Sequence, residues 1–342
     1  MTYRIGLDIG GTKTATLIVD EAARPIGQAV RPTDVRSPEL LVSGTLAVVD
    51  LTLQEAGLTR DDLSAAGVGI PGQVNPNDGT VAMAVNLNLR EPYPLRAALE
   101  QVLGVPVAVE NDVRAAAWGA YHWALDRQSL RSLAYLSIGT GISAGLVLDG
   151  RLYRGSHGMA GEIGHIPLDE NGPRCACGQY GCLESVAAGP AIAAQAAALM
   201  PDRKPTTDEV YKLAAAGDPS AERVVARAAE YLGRAIHLLL MAYDVEYVAL
   251  GGGVTRAGVA FEEPLRRAMA RMRSDSSLTA SMMPDEKVVI MPADFSAGVT
   301  GAVYLAPNPV PEARQEANEE RKENTPLSAE YPQVYVESST QV

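Results

Sequence analysis

Positive charge is scarce in this sequence, and no segment clusters it. Lysine and arginine total 29 against 41 aspartate and glutamate residues, so the formal net charge is -12 over 342 residues. Proteins that bind nucleic acid present a basic face to the phosphate backbone, and this charge balance opposes such a face. We therefore expect no nucleic-acid partner.

Long apolar runs are absent as well. No run reaches the roughly 18 residues that a bilayer-spanning helix needs, and the N-terminus enters a strand pattern without signal-peptide features. We therefore expect no membrane partner and a cytoplasmic protein. The content of 47% hydrophobic and 20% charged residues is ordinary for a globular protein. The length favours two domains or one two-lobed unit.

Cysteine is limited to Cys175, Cys177 and Cys182. An odd number of thiols so close together argues against a disulfide framework, and clustered thiols in a reducing compartment suggest metal ligation. A tetrahedral zinc site needs a fourth ligand. His165 is the first candidate, and His157 is its rival. Four protein ligands would make the zinc structural rather than catalytic.

The sequence contains an internal repeat in which two apolar segments flank a turn of glycine and threonine. Such a pattern predicts a β-hairpin, and two copies indicate two related lobes that face one cleft. Alternating strand and helix patterns between and after the copies predict an α/β protein. The two copies cover residues 5–19 and 133–148.

The remaining patterns define elements and a domain division. We predict an N-terminal lobe of residues 1–113 plus 297–307, a C-terminal lobe of 114–296, and a disordered tail at 308–342, which has few large apolar residues. Further predicted strands cover 65–70, 105–109, 246–250 and 287–291, and predicted helices cover 40–56, 95–103, 115–125, 190–200, 207–215, 220–242, 263–272 and 297–306.

The first turn has the chemistry of a phosphate site. Gly10 and Gly11 let backbone N–H groups approach an anion, and Thr12 adds a hydroxyl. Lys13 either adds charge or lies on the outer face of the next strand. Asp8 would repel phosphates unless a cation lay between them, which makes it a candidate for holding Mg²⁺. A single turn of this kind is equally consistent with a plain tight hairpin, and the second copy favours the phosphate interpretation.

The two turns and a third glycine segment resemble motifs of the ROK family (repressors, open reading frames, sugar kinases) in the actin/hexokinase/Hsp70-like superfamily. The resemblance extends from about Tyr3 to Ala306, and one departure is Ser143, where many members carry glycine. It implies a two-lobed actin-like ATPase (ribonuclease H-like) fold with a duplicated β-hairpin phosphate-binding core and an inter-lobe cleft. The nucleotide-binding residues implied by the resemblance are Asp8, Gly10, Gly11, Thr12, Lys13, Thr140, Gly141, Gly251, Gly252 and Gly253.

The resemblance also covers the cysteine cluster. The family motif Gly-His…Cys-x-Cys-Gly-x-x-Gly-Cys-x-Glu is matched at every element, including Glu184. It implies a zinc ion on His165, Cys175, Cys177 and Cys182. The zinc would fix a loop that presents sugar-binding residues.

The pair Asn111-Asp112 follows one predicted strand and precedes a helix. By itself the pair is typical of a helix cap, with Asp112 accepting from the next turn. The resemblance instead implies that Asp112 is the catalytic base and that Glu162, His165 and Glu184 contact sugar hydroxyls. The implied substrate-binding set is Gly72, Asn88, Asn111, Asp112, Glu162, His165 and Glu184.

These features favour a MgATP-dependent kinase that phosphorylates a hexose at its 6-hydroxyl, with glucose as the first choice. Fructose, mannose, N-acetylmannosamine and N-acetylglucosamine are alternative substrates, and polyphosphate is an alternative donor. A sugar-responsive repressor would need a DNA-binding helix-turn-helix, and only seven residues precede Asp8. A sensor without turnover is disfavoured by the presence of Asp8, Thr12, Asp112 and Thr140. We expect a homodimer or a higher homo-oligomer.

Overall fold

Two five-stranded sheets with the same strand arrangement frame the part of the chain that this computed structural model describes, residues 2–307. The first sheet has the order β3-β2-β1-β4-β7, and the second has the order β10-β9-β8-β11-β12. A short hairpin, β5-β6, stands apart from both. The strands are β1 (Tyr3–Ile9), β2 (Lys13–Val19), β3 (Pro25–Pro32), β4 (Leu63–Ile70), β5 (Gln73–Val74), β6 (Val81–Ala82), β7 (Val107–Asn111), β8 (Leu133–Ile138), β9 (Ile142–Leu148), β10 (Arg151–Tyr153), β11 (Tyr247–Gly251) and β12 (Val288–Ile290).

The helices cover the faces of these sheets. Each sheet combines an antiparallel hairpin with two parallel strands, and the parallel strands need crossover helices. The helices are α1 (Pro38–Ala56), α2 (Leu95–Leu103), α3 (Asp112–Leu125), α4 (Leu183–Ala187), α5 (Gly189–Leu199), α6 (Thr207–Ala215), α7 (Pro219–Tyr243), α8 (Val259–Asp275), α9 (Ser277–Met282) and α10 (Ala297–Leu305).

The central strand β1 is buried on both faces. Ile5, Leu7 and Ile9 have no exposed surface, and they pack in a core with side chains of α1 and α2. On the opposite face, α10 lies directly against the sheet, because a Cβ at Gly67 would stand only 1.9 Å from the Ala302 carbonyl oxygen. A side chain at Gly67 would therefore push α10 away from the sheet.

The second sheet repeats the first. In each sheet a hairpin (β1-β2 or β8-β9) is paired in parallel with a strand from later in the chain (β4 or β11), and a further parallel strand (β7 or β12) forms the edge. The internal repeat and the α/β fold class predicted from the sequence are confirmed. The exact division into lobes at residues 1–113 with 297–307 and 114–296 stays a prediction.

Helices α3 and α10 connect the two sheets. Helix α10 packs on α3, β1 and β4, and α3 also packs on β8 and β9 of the second sheet. The two helices touch backbone to backbone, because a Cβ at Gly301 would stand 1.7 Å from the Ala115 carbonyl oxygen. The first turn of α3 is therefore held between both halves of the fold.

Several elements were not predicted. The edge strands β3 and β10 and the short helices α4 and α9 were missed. In β3 only Ala29 is buried, so the strand has no apolar alternation that could mark it. The tail predicted at residues 308–342 lies outside the described residues. Within residues 2–307, each helix is too short or too polar to cross a bilayer.

Candidate active site

A cleft of about 910 Å³ contains most of the residues predicted to bind nucleotide. Both glycine turns contribute to its wall, and so does the glycine segment after β11. Two predicted residues, Gly11 and Gly141, are not among its lining residues. The predicted nucleotide-binding residues that line the cleft are Asp8, Gly10, Thr12, Lys13, Thr140, Gly251, Gly252 and Gly253. The predicted base Asp112 lines it as well.

Gly11 and Gly141 lie close to side chains of other segments. A Cβ at Gly11 would lie 3.1 Å from the Asn86 side chain, and one at Gly141 would lie 2.5 Å from the Glu184 carboxylate. Oε2 of Glu184 accepts a hydrogen bond from the Ile142 N–H at 3.0 Å. Glu184, predicted as a sugar contact, therefore also fixes the second glycine turn.

Asp8 lies at the end of β1, just before the first turn. Burial and the nearby charge of Asp112 raise the pKa of Asp8 to about 6, and Lys13 opposes this shift. Two carboxylates that repel each other in a cleft fit a bound divalent cation, which would relieve both the desolvation and the repulsion. Asp8 therefore has the chemistry expected of a Mg²⁺ site.

The pair Asn111-Asp112 divides the roles of cap and acid. Oδ1 of Asn111 accepts hydrogen bonds from the N–H groups of Val113 at 3.0 Å and Arg114 at 3.2 Å, so Asn111 is the N-cap of α3. Its Nδ2 donates to the Gly72 carbonyl at 3.2 Å. The alternative interpretation of the pair as a helix cap therefore holds for Asn111, whereas Asp112 follows the capping position.

Asp112 is the first residue of α3. Its Oδ1 accepts a hydrogen bond from the Val113 N–H at 2.9 Å, while burial raises its pKa and the charge of Glu162 adds to the rise. That bond and the positive charge of Arg114 act in the opposite direction. A raised pKa brings a carboxylate closer to the range in which a general base works at neutral pH.

Tyr135 in β8 is a cleft residue that the sequence interpretation missed. Its ring is buried, and the charges of Asp8 and Asp112 contribute to a strongly raised pKa, after burial. A Cβ at Gly251 would stand 2.1 Å from the Tyr135 hydroxyl oxygen. Gly251 therefore makes room for this ring. Tyr135 and Ser137 are the two polar residues of β8, at alternate positions before the second turn, and both line the cleft, so this alternation was the available signal.

The predicted zinc ligands come together. The ligand atoms of His165, Cys175, Cys177 and Cys182 all lie within 4.8 Å of one another, and His157 is not in this group. Nδ1 of His165 is 3.6 Å from Sγ of Cys175. Burial and the neighbouring thiols raise the pKa of Cys182 to about 12, a shift that a metal cation would reverse. Three thiols and one imidazole fit a closed tetrahedral zinc site.

The other predicted sugar residues lie on three separate segments of the chain. Glu162 is exposed and precedes the short 3₁₀ helix Ile163–His165. Gly72 contacts the cap residue Asn111 through its carbonyl. Asn88 is exposed with a left-handed backbone (φ 57°), and its amide donates to the Arg36 carbonyl at 3.5 Å. Within residues 2–307, no hydrogen bond joins Asn88 to another predicted sugar residue.

Comparison with known proteins agrees with this geometry. A sequence model of the ROK family matches residues 4–308. A glucokinase of Halalkalibacterium halodurans is 33% identical over 78% of this chain and 84% of its own length. An N-acetylmannosamine kinase of Vibrio cholerae is 32% identical over 73% of this chain and 83% of its own.

A solved structure gives the same result. The crystal structure of a ROK family glucokinase from Streptomyces griseus, in complex with glucose and AMPPNP, superposes with a TM-score of 0.74 at 31% identity. The match covers 89% of this chain and 99% of that one. The chain therefore belongs to the ROK family, and among its members it resembles the sugar kinases.

Proposed function

We propose that the protein transfers the γ-phosphoryl group of MgATP to the 6-hydroxyl of a hexose, with glucose as the first candidate. The observation that carries this proposal is the position of Asp112. It begins the helix between the two sheets and lines the cleft with both glycine turns, while Asn111 takes over the capping. Its carboxylate is thus available to a substrate hydroxyl.

The chemistry follows from these positions. Asp112 accepts the proton of the sugar hydroxyl while that oxygen forms a bond to the γ-phosphorus and the bond to the leaving ADP oxygen breaks. Backbone N–H groups of the two turns, at Thr12 and Thr140, orient the phosphates, since the N–H of Gly10 is bonded to the Lys13 carbonyl. Asp8 would hold Mg²⁺, which would neutralise charge on the phosphates. Closure of the cleft would exclude water and limit hydrolysis of ATP.

The sugar itself is the open part of the proposal, because the similar proteins include both a glucokinase and an N-acetylmannosamine kinase. The glucose and AMPPNP bound in the Streptomyces griseus structure support glucose and ATP. N-Acetylmannosamine is the second candidate. The zinc cluster would hold the segment that carries Glu162 and His165, and we propose a homodimer or higher homo-oligomer.

A coupled assay of ADP release tests the function. Purified protein with MgATP should respond to glucose or to N-acetylmannosamine in a panel of hexoses and N-acetylhexosamines, and polyphosphate should not replace ATP. The absence of sugar-stimulated ADP release across the whole panel would refute the kinase proposal. Elemental analysis of protein purified without chelator should find zinc at about one atom per chain, as four protein ligands imply.

A further inference from the structure

Residues 154–162, which we call the sugar loop, run from the end of β10 to Glu162. The 3₁₀ helix that follows ends at His165. The C-terminal end of the sugar loop is fixed to β9, because the Gly161 carbonyl accepts hydrogen bonds from the Ala144 N–H at 2.8 Å and the Ser143 hydroxyl at 3.1 Å. A Cβ at Gly161 would stand 1.7 Å from the Ala144 carbonyl oxygen, so the two backbones are in direct contact.

The rest of the sugar loop is fixed to the elements that carry Asp112. Nη1 of Arg114, in α3, donates to the Gly158 carbonyl at 2.8 Å. Nε of Arg154 donates to Oε2 of Glu110, at the end of β7, at 2.5 Å. The loop is thus bonded both to its own sheet and to the strand and helix on either side of the Asn111-Asp112 pair.

Glu110 is the centre of this connection. It is 1% exposed, and its two carboxylate oxygens each receive an arginine: Oε1 accepts from Nε of Arg114 at 2.6 Å and Oε2 accepts from Arg154. Oε1 also accepts the Asn111 N–H at 2.9 Å. A buried carboxylate that pairs with an arginine on each oxygen fixes the relative positions of both arginines, because breaking either buried ion pair would cost free energy.

Glu110, Arg114 and Arg154 together bond the sugar loop to the strand and helix that carry Asn111 and Asp112. We propose that the three are positioning residues which set the sugar loop, and with it Glu162, at the correct distance from Asp112, so that the hexose binds with its hydroxyl next to the base. The inference rests on the proposed kinase function. It names residues that act through the loop and not on the reacting atoms.

Arg154 is the residue that tests this role best. Its side chain is 38% exposed, whereas those of Glu110 and Arg114 are 2% and 5% exposed. Removing Arg154 therefore leaves a cluster that still contains one buried ion pair, and the fold should survive. Arg151, an exposed arginine three positions earlier in β10, provides a matched control.

The experiment measures sugar and nucleotide affinity separately in full-length Arg154→Met, Arg154→Lys and Arg151→Met. The probes are glucose and N-acetylmannosamine in calorimetry, and MgATP in steady-state kinetics. For Arg154→Met we expect the Kd of the better-bound sugar to rise about 10- to 100-fold, because a small misplacement of binding groups has effects of that size. The KM for MgATP should change by less than about twofold, since the nucleotide cleft is untouched.

Two further results complete the test. Arg154→Lys should recover part of the sugar affinity through its charge, and Arg151→Met should behave like the unmodified protein. An unchanged sugar Kd in Arg154→Met, or an equal rise in the KM for MgATP, would overturn the positioning role, as would failure of the unmodified protein to bind either sugar. Sugar binding without ADP release in the unmodified protein would instead refute the kinase proposal, and the Kd comparison would still decide the role of Arg154.

Discussion

Helices α3 and α10 follow the outer parallel strands of the two sheets and so occupy equivalent places in the repeat, yet their first turns differ. Helix α3 begins with Asn111 as cap and Asp112 as its first residue. Helix α10 begins with Ala297 and Gly298, and a Cβ at Gly298 would stand 2.5 Å from the carboxylate of Asp8. One helix start provides an acid, and the other leaves room for an acid from β1.

This difference explains how two similar sheets can support a reaction whose sugar side and phosphate side need different groups. The two hairpin turns are alike and suit the repeated phosphates of one nucleotide. The two helix starts cannot be alike, because the proposed reaction needs a proton acceptor on the sugar side and a cation-binding carboxylate on the phosphate side.

Removing the acid of α3 should have the largest effect. For Asp112→Ala we expect kcat to fall by on the order of 10²- to 10⁴-fold, the usual contribution of a general base. The melting temperature should change little, because Asn111 keeps the cap of α3. Steady-state kinetics and thermal unfolding measure the two quantities.

The control for that prediction is Asp61→Asn. Asp61 is an exposed residue of the 3₁₀ helix Arg60–Asp62, which is distant in sequence from the motifs of the cleft. It should keep full activity. Turnover near that of the unmodified protein in Asp112→Ala would show that Asp112 is not the base.

Asp8 should make the stability of the protein depend on pH. Its pKa is raised from 3.8 to about 6 in the folded protein, so the folded state binds this proton more tightly than the unfolded state does. The contribution of Asp8 to the free energy of unfolding is therefore greatest below about pH 4. It falls as the pH rises through about 6, by up to about 3 kcal/mol in total. Asp8→Asn has no such titration and should lose less stability over the same interval.

Chemical denaturation at pH 5 and pH 7.5, without divalent cations, measures this difference. Added Mg²⁺ at pH 7.5 should stabilise the unmodified protein more than Asp8→Asn, because the cation favours the charged carboxylate. Identical pH profiles for the two proteins would contradict the burial of a charged Asp8 opposite Asp112.

A methyl group added at Gly298, at the start of α10, should displace the Asp8 side chain without destabilising the fold. In Gly298→Ala the new Cβ meets the movable end of the Asp8 side chain, so we expect the KM for MgATP to rise about tenfold, with a small change in melting temperature. In Gly301→Ala, one turn later, the Cβ meets the backbone of Ala115, and we expect a loss of stability of about 1–3 kcal/mol. Steady-state kinetics and thermal unfolding of both variants distinguish the two positions. The same changes in KM and melting temperature in both variants would contradict the claim that Gly298 makes room for Asp8 and Gly301 for the backbone of α3.

Local sequence patterns predicted those parts of the site that lie within a few residues of one another. The glycine turns and the metal ligands were predicted from residue types and spacing together with the family resemblance, and the four ligands do come together. The Asn111-Asp112 pair by itself predicted a helix cap, and the role of Asp112 as the base came from the resemblance and stays a prediction. Two features were missed because they depend on distant contacts. The ion pair of Glu110 with Arg154 joins residues 44 positions apart, and Tyr135 faces the cleft only because Gly251 leaves space for it.

Replacement of Ser143 by glycine, the residue that the ROK resemblance predicts at this position, should have the smallest effect on sugar binding. The Ser143 hydroxyl donates to the Gly161 carbonyl, a bond that glycine cannot make, and the Ala144 N–H to the same carbonyl is kept. A single hydrogen bond of this kind contributes about 0.5–1.5 kcal/mol. We therefore expect Ser143→Gly to weaken sugar binding by about two- to tenfold, with the KM for MgATP unchanged. Sugar binding as tight as in the unmodified protein would show that the remaining bonds alone hold the sugar loop in place.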